Sequence, residues 1–132
     1  MSYLTEEEKR FLQTEELSVL NEIKRVCDRN GIKYYITAGT LLGAVRHGGF
    51  IPWDDDVDIV MKREDYERFG RICRAELRPG FFYQSEQTER DYPFGFAKVR
   101  KDNTSVREKI LDGLEIHKGC YVDIFPLDAC PS

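Results

Sequence analysis

The sequence predicts an α/β (α+β) domain, a mixed β-sheet with helices packed on it. Three observations carry that reading. Residues 5–31 keep a helical spacing of apolar positions. A strand, a helix and a further strand follow in β-α-β order from residue 56. The rest of the chain falls into short runs rich in β-branched and aromatic residues, separated by turn residues. The 132 residues suit one domain, 1–132. A domain of that size buries roughly two-thirds of its unfolded surface, enough for a core without disulfide or metal staples.

The elements follow in order. Thr5-Glu6-Glu7-Glu8 reads as a capping box, with Thr5 as N-cap and Glu8 reaching back. Leu12, Val19, Leu20, Ile23, Val26 and Cys27 form the apolar stripe, and Asn30-Gly31 ends the helix. "IKYYITA", 32–38, reads as a strand. Gly39 breaks it, and Thr40 can cap a short helix over 41–47. "DVDIVM", 56–61, is the second strand, and 63–77 a helix with Tyr66, Phe69, Ile72 and Cys73 on its apolar side. Pro79-Gly80 is a turn. "FFYQSE" and "FGFAKVRK" read as strands, "KDNT" as a turn, "LDGLEIHKG" as a weak hairpin or loop, and "YVDIFPL", 121–127, as the last strand.

Composition narrows the function. The formal net charge of −4 argues against a nucleic-acid partner bound non-specifically. The N-terminal "MSYLTEEEKR" has no secretory pattern, and no apolar run reaches a membrane span. These features point to a cytoplasmic protein. Cys27 and Cys73 fall on helix positions that predict buried thiols. His117, Cys120 and Cys130 lack the spacing of a zinc site. The chain stops just after "YVDIFPLDACPS", as expected of a cut within a larger protein.

Chemistry concentrates at "FIPWDDDVDIVM", 50–61. Strand side chains alternate between faces, so Val57 and Ile59 share one face, and Asp56 and Asp58 the other. Two carboxylates at i and i+2 repel unless a cation lies between them, and a hard divalent ion suits oxygen ligands. In "YVDIF", Asp123 alternates with Val122 and Ile124 in the same way. If that strand lies beside the second, Asp123 joins Asp56 and Asp58 on a metal platform able to hold two ions for phosphoryl displacement. Asp54 and Asp55 precede the strand and read as solvated loop residues, although Asp54 has the parity to sit near a metal.

Candidate anion contacts surround this platform. Gly39 and Thr40 sit where a strand gives way to a helix N-terminus, which favours phosphate. Arg46 and His47 close that helix and either hold a diphosphate or complement the helix C-terminus. Lys98 and Arg100 share a strand face, and either bind an anionic substrate or guard an exposed sheet edge. Trp53 either stacks a base or sugar or belongs to the core. Tyr34, Tyr35, Trp53, Tyr92 and Phe94 are possible walls of an aromatic cage for a quaternary ammonium.

Three blocks, "AGTLLGAVRHGGFIPWDDDVDI", "FAKVRKDNT" and "GCYVDIFPLD", resemble the LicD family of phosphotransferases, which includes the fukutin-related proteins. The resemblance implies a nucleotidyltransferase-like (polymerase-β-like) fold. It aligns Gly39 and Thr40 with the donor-phosphate motif, Asp56 and Asp58 with the paired carboxylates, and Asp123 with the third acid. It implies Mg²⁺ or Mn²⁺, a CDP-linked donor, and transfer of a substituted phosphate to a glycan acceptor such as teichoic acid or lipopolysaccharide. Phosphocholine is the first candidate group and ribitol phosphate the second. Family members continue past "DIFPLD" into a helical portion expected to help form the acceptor site. Two alternatives stay open: a nucleotidyltransferase that releases pyrophosphate from a nucleoside triphosphate, and a module that binds a ligand without turnover.

Overall fold

The computed structural model describes residues 5–36, 57–104, 113–114 and 116–128. Helix α1 spans Glu6–Asn30, β1 Tyr35–Ile36, β2 Asp58–Lys62, α2 Arg63–Glu76, β3 Phe81–Gln84, β4 Ala97–Lys101 and β5 Tyr121–Leu127. The strands form one mixed sheet in the order β1-β2-β5-β4-β3. The pair β2–β5 is parallel, and the pairs β1–β2, β4–β5 and β3–β4 are antiparallel. This is the α/β class that the alternation predicts.

Local chemistry explains where α1 starts and stops. The Glu8 amide donates to Thr5 Oγ1 at 3.0 Å, and the Thr5 amide donates to Glu8 Oε1 at 3.2 Å, closing the capping box. Gly31 ends the helix at φ 64°, a left-handed conformation that costs glycine no Cβ clash. The next amide, of Ile32, still bonds to Cys27 O at 3.0 Å. That bond and the burial of Ile32 in the core keep the chain out of the sheet until Tyr35, later than residue 32 as the sequence predicts.

Both helices pack on one sheet face. Val19, Ile23, Val26 and Cys27 of α1 and Phe69 and Cys73 of α2 meet Val57, Ile59, Met61, Tyr83, Ala97, Val99, Val122 and Ile124. Each such side chain contributes about 1.5–3 kcal/mol when fully buried. Cys27 and Cys73 are the buried thiols that the helix spacing predicts, and burial pushes Cys27 up to about 12. Glu22 ties α1 to the chain just past α2. Burial pulls its carboxyl up, but bonds from Arg25 and from the Arg78 amide outweigh this and hold it below its ordinary value. Arg25 also donates to Glu76 O at 2.7 Å.

Other strand limits also differ from the sequence expectation. β4 begins at Ala97, not at Phe94. Pro93 and Gly95 are poor strand formers, and the Tyr92 hydroxyl donates to Phe96 O at 2.5 Å, so Phe94 and Phe96 lie ahead of the ladder. β3 ends at Gln84, because Ser85 starts a turn in which its carbonyl accepts from Thr88 and Glu89. β5 matches its predicted span and tolerates Pro126 because β4 pairs it only as far as Ile124. The described residues of 111–119, which read as a weak hairpin or loop, contain no strand.

The turn before β5 is closely packed. A Cβ on Gly119 would overlap Lys101's backbone oxygen and lie 2.7 Å from His117 Cε1. Gly119→Ala is expected to lower stability by about 2–3 kcal/mol. Urea unfolding followed by circular dichroism will read this as a lower midpoint with an unchanged slope.

Candidate active site

The sheet face opposite the helices carries polar side chains in register. Asp58 of β2 is paired with Asp123 of β5, Asp123 with Lys98 of β4, and Lys98 with Gln84 of β3. Four adjacent strands thus place Asp58, Asp123, Lys98 and Gln84 in one row. The alternation that buries Ile59, Ile124, Ala97 and Tyr83 on the core side turns this row to the other face. β2 and β5 are neighbours, as the two acidic strands require. β4 is an inner strand of the described sheet, so Lys98 and Arg100 are not an edge-guarding pair.

Lys98 is the best-defined member of the row. Its Nζ donates to Asp123 Oδ1 at 2.5 Å, and the two side chains are 3% and 16% exposed. The Tyr121, Phe94 and Phe96 rings stand 3.8, 5.1 and 5.3 Å from the ammonium. The aromatic wall continues from Tyr92 through Phe94 and Phe96 to Phe125, with successive centroids 5.5, 5.2 and 4.4 Å apart. Burial pushes the Tyr92 phenol well above its ordinary range, so it stays a neutral donor.

Arg100 lies on the expected face and is fully buried. It donates to Gln84 Oε1 and to Gly119 O, each at 2.6 Å, and its guanidinium carbon is 4.7 Å from the Tyr121 ring centroid. Gln84 in turn donates to Glu89 Oε1 at 2.5 Å and to His117 O at 2.9 Å. His117 stacks on Phe82 with centroids 5.2 Å apart and bonds Asp102 at 2.7 Å through Nε2. These contacts fasten the loop before β5 to the sheet and so fix the position of Asp123. They also engage the His117 ring with Asp102 and Gly119, while Cys130 lies outside the described residues.

Gly39, Thr40, Arg46, His47, Trp53 and Asp56 lie outside the described residues. Among the described residues, no three His, Cys, Asp or Glu side chains form a metal cluster. The donor chemistry of the row nevertheless fits a hard cation. Two carboxylates stand on strands about 4.8 Å apart, both offer oxygen, and a cation, the Lys98 ammonium, already rests on one of them.

Sequence reasoning missed Gln84, Phe96, Tyr121 and Phe125. Parity alone carries a signal for three of them, since Tyr121 and Phe125 flank Asp123 at two residues and Phe96 precedes Lys98 by two. Of the five proposed aromatic walls, Tyr92 and Phe94 come together here. Tyr34 packs on the core instead, and Tyr35 is exposed on β1.

Residues 31–129 match the family model described as "LicD/FKTN/FKRP, nucleotidyltransferase domain", and the chain belongs to that family. It is 34% identical over 117 residues to the lipopolysaccharide cholinephosphotransferase LicD of Haemophilus influenzae, covering 88% of this chain and 43% of that protein. It is 50% identical over 51 residues to the ribitol 5-phosphate transferase FKRP of Mus musculus, covering 39% of this chain and 10% of that one. The chain spans less than half the length of these relatives. No described helix is long and apolar enough to cross a membrane.

Proposed function

We propose that this domain transfers a substituted phosphate, with phosphocholine the first candidate, from a CDP-linked donor to a sugar hydroxyl of a cell-surface glycan such as lipopolysaccharide or teichoic acid. The observation that carries the reading is the row Asp58–Asp123–Lys98, two carboxylates and an ammonium in register on the face away from the helices. The similarity to two transferases of phosphate-bearing groups supports it.

Asp58 and Asp123, with Asp56, are the proposed ligands of Mg²⁺ or Mn²⁺. When bound, such ions neutralise a diphosphate and its departing CMP. The chain's own residues supply position and charge. Asp58 and Asp123 would hold such an ion through their oxygens and, through it, position the donor. Lys98 stands beside them, where the negative charge of a transferred phosphoryl group gathers. Arg100 and Gln84 hold the strand and loop that carry Asp123. Gly39, Thr40, Arg46 and His47 are proposed to grip the donor phosphates and Trp53 its base or sugar. Acceptor binding is proposed to draw on sequence beyond residues 1–132, within the cytoplasm.

Product analysis tests the reading. Full-length protein incubated with Mg²⁺ or Mn²⁺, CDP-choline and the glycan acceptor is expected to release CMP and label the glycan. Release of pyrophosphate from CTP would instead establish a nucleotidyltransferase. Saturable binding of CDP-choline with no turnover in the presence of acceptor would establish a binding module.

A further inference from the structure

Lys98 is placed and surrounded unlike an ordinary substrate-binding lysine. Its ammonium is buried, bonded to one oxygen of Asp123, and faced by three aromatic rings. Asp123 is also the residue that β5 sets against Asp58 of β2. A divalent ion shared by those two carboxylates would meet the Lys98 ammonium on the same carboxylate, since Lys98 Nζ already stands 2.5 Å from Asp123 Oδ1. Charges of the same sign at that range in a partly buried site repel strongly.

We propose that Lys98 is a built-in competitor for the metal. Its ammonium neutralises Asp123 in the metal-free protein and leaves that carboxylate when a divalent ion binds. This rests on the metal-dependent reading above and adds to it a residue that sets the site's affinity. Two features let the ammonium withdraw without leaving the site. The four-carbon stem is flexible. The faces of Tyr121, Phe94 and Phe96 attract a cation that has lost its carboxylate. The displaced ammonium then lies beside the ion, free to meet a phosphate oxygen. Metal alone binds weakly in such a site, and metal with a nucleoside diphosphate binds well, because the diphosphate supplies the charge that both cations need. The aromatic cluster is thereby assigned to the lysine and not to a choline head group.

Titration of the full-length protein with Mn²⁺ alone, followed by calorimetry, tests the proposal. Lys98→Met is expected to bind Mn²⁺ about tenfold more tightly than the natural protein, in the range that residues next to a metal's ligands command. Lys98→Arg, which keeps the charge, is expected to stay within about threefold. Unchanged or weaker binding by Lys98→Met overturns the proposal. Asp58→Asn and Asp123→Asn separate the two readings. If both bind Mn²⁺ as the natural protein does, the metal site itself is wrong and the proposal falls with it. If both lose Mn²⁺ while Lys98→Met matches the natural protein, only the role of Lys98 fails. Should Lys98→Met not fold, the natural protein suffices. Its Lys98 Nζ resonance in nitrogen-15 spectra is expected to shift on adding Mg²⁺, and a resonance that stays in place while Mg²⁺ binds refutes the displacement.

Discussion

Full-length protein carrying Asp58→Asn is expected to fold normally and to lose transfer activity by on the order of a hundredfold or more. The reason lies in the register. Asp58 is half-buried at the start of β2, and its partner across the parallel ladder is Asp123. Asparagine keeps the shape and one oxygen, so the ladder and the core beneath Ile59 are undisturbed. It removes a negative charge from the proposed cation site and puts an amide donor in its place. The lysine remains on Asp123, so no buried charge is orphaned. Activity from released CMP, with thermal unfolding as the control, separates the two effects. Near-normal turnover with intact structure would remove Asp58 from the mechanism. Asp123→Asn is the less clean experiment, since it leaves the Lys98 ammonium buried without its carboxylate and threatens stability as well as chemistry.

Arg100→Leu is expected to lower the unfolding free energy by about 2–6 kcal/mol. Leucine fills much of the volume but leaves Gln84 Oε1 and Gly119 O without the donors that now meet them at 2.6 Å. Each buried acceptor left without its partner costs about 1–3 kcal/mol. Gln84 would then be released from one of its bonds, and with it the contact to Glu89 and to the loop at His117. Arg100→Lys is expected to fall in between, because a single ammonium cannot reproduce the planar fork that reaches both oxygens. Chemical denaturation monitored by circular dichroism gives the order. A leucine variant as stable as the natural protein would show that the network is dispensable. The guanidinium that the sequence offers as a substrate contact is fully buried and bonded to Gln84 and Gly119.

Much of the fold is legible because the rules involved are local. Thr5 and Glu8 announce the start of α1, Gly31 its end, and the apolar stripe its buried side. "YVDIFPL" is a strand at every position predicted for it. Strand limits elsewhere were less legible, because they depend on partners distant in sequence. Phe94 and Phe96 have good strand propensity, yet the Tyr92 hydroxyl and the Lys98 ammonium engage this segment ahead of the ladder. Residues 32–34 look like strand but follow the helix cap and the pull of Ile32 into the core.

The alternation in "DVDI" and "YVDIF" determined by itself that each strand hides its aliphatic residues and turns its aspartate the other way, because a pleated backbone gives neighbours no other choice. Strand order and register were decided only in three dimensions. Hydrogen-bonded pairing set Asp58 against Asp123 and Asp123 against Lys98, and it made β4 an inner strand whose lysine and arginine are buried. Pairing joins segments tens of residues apart, and their contact depends on how the two helices cover one face of the whole sheet, a competition among all the strands at once that no single stretch of sequence records.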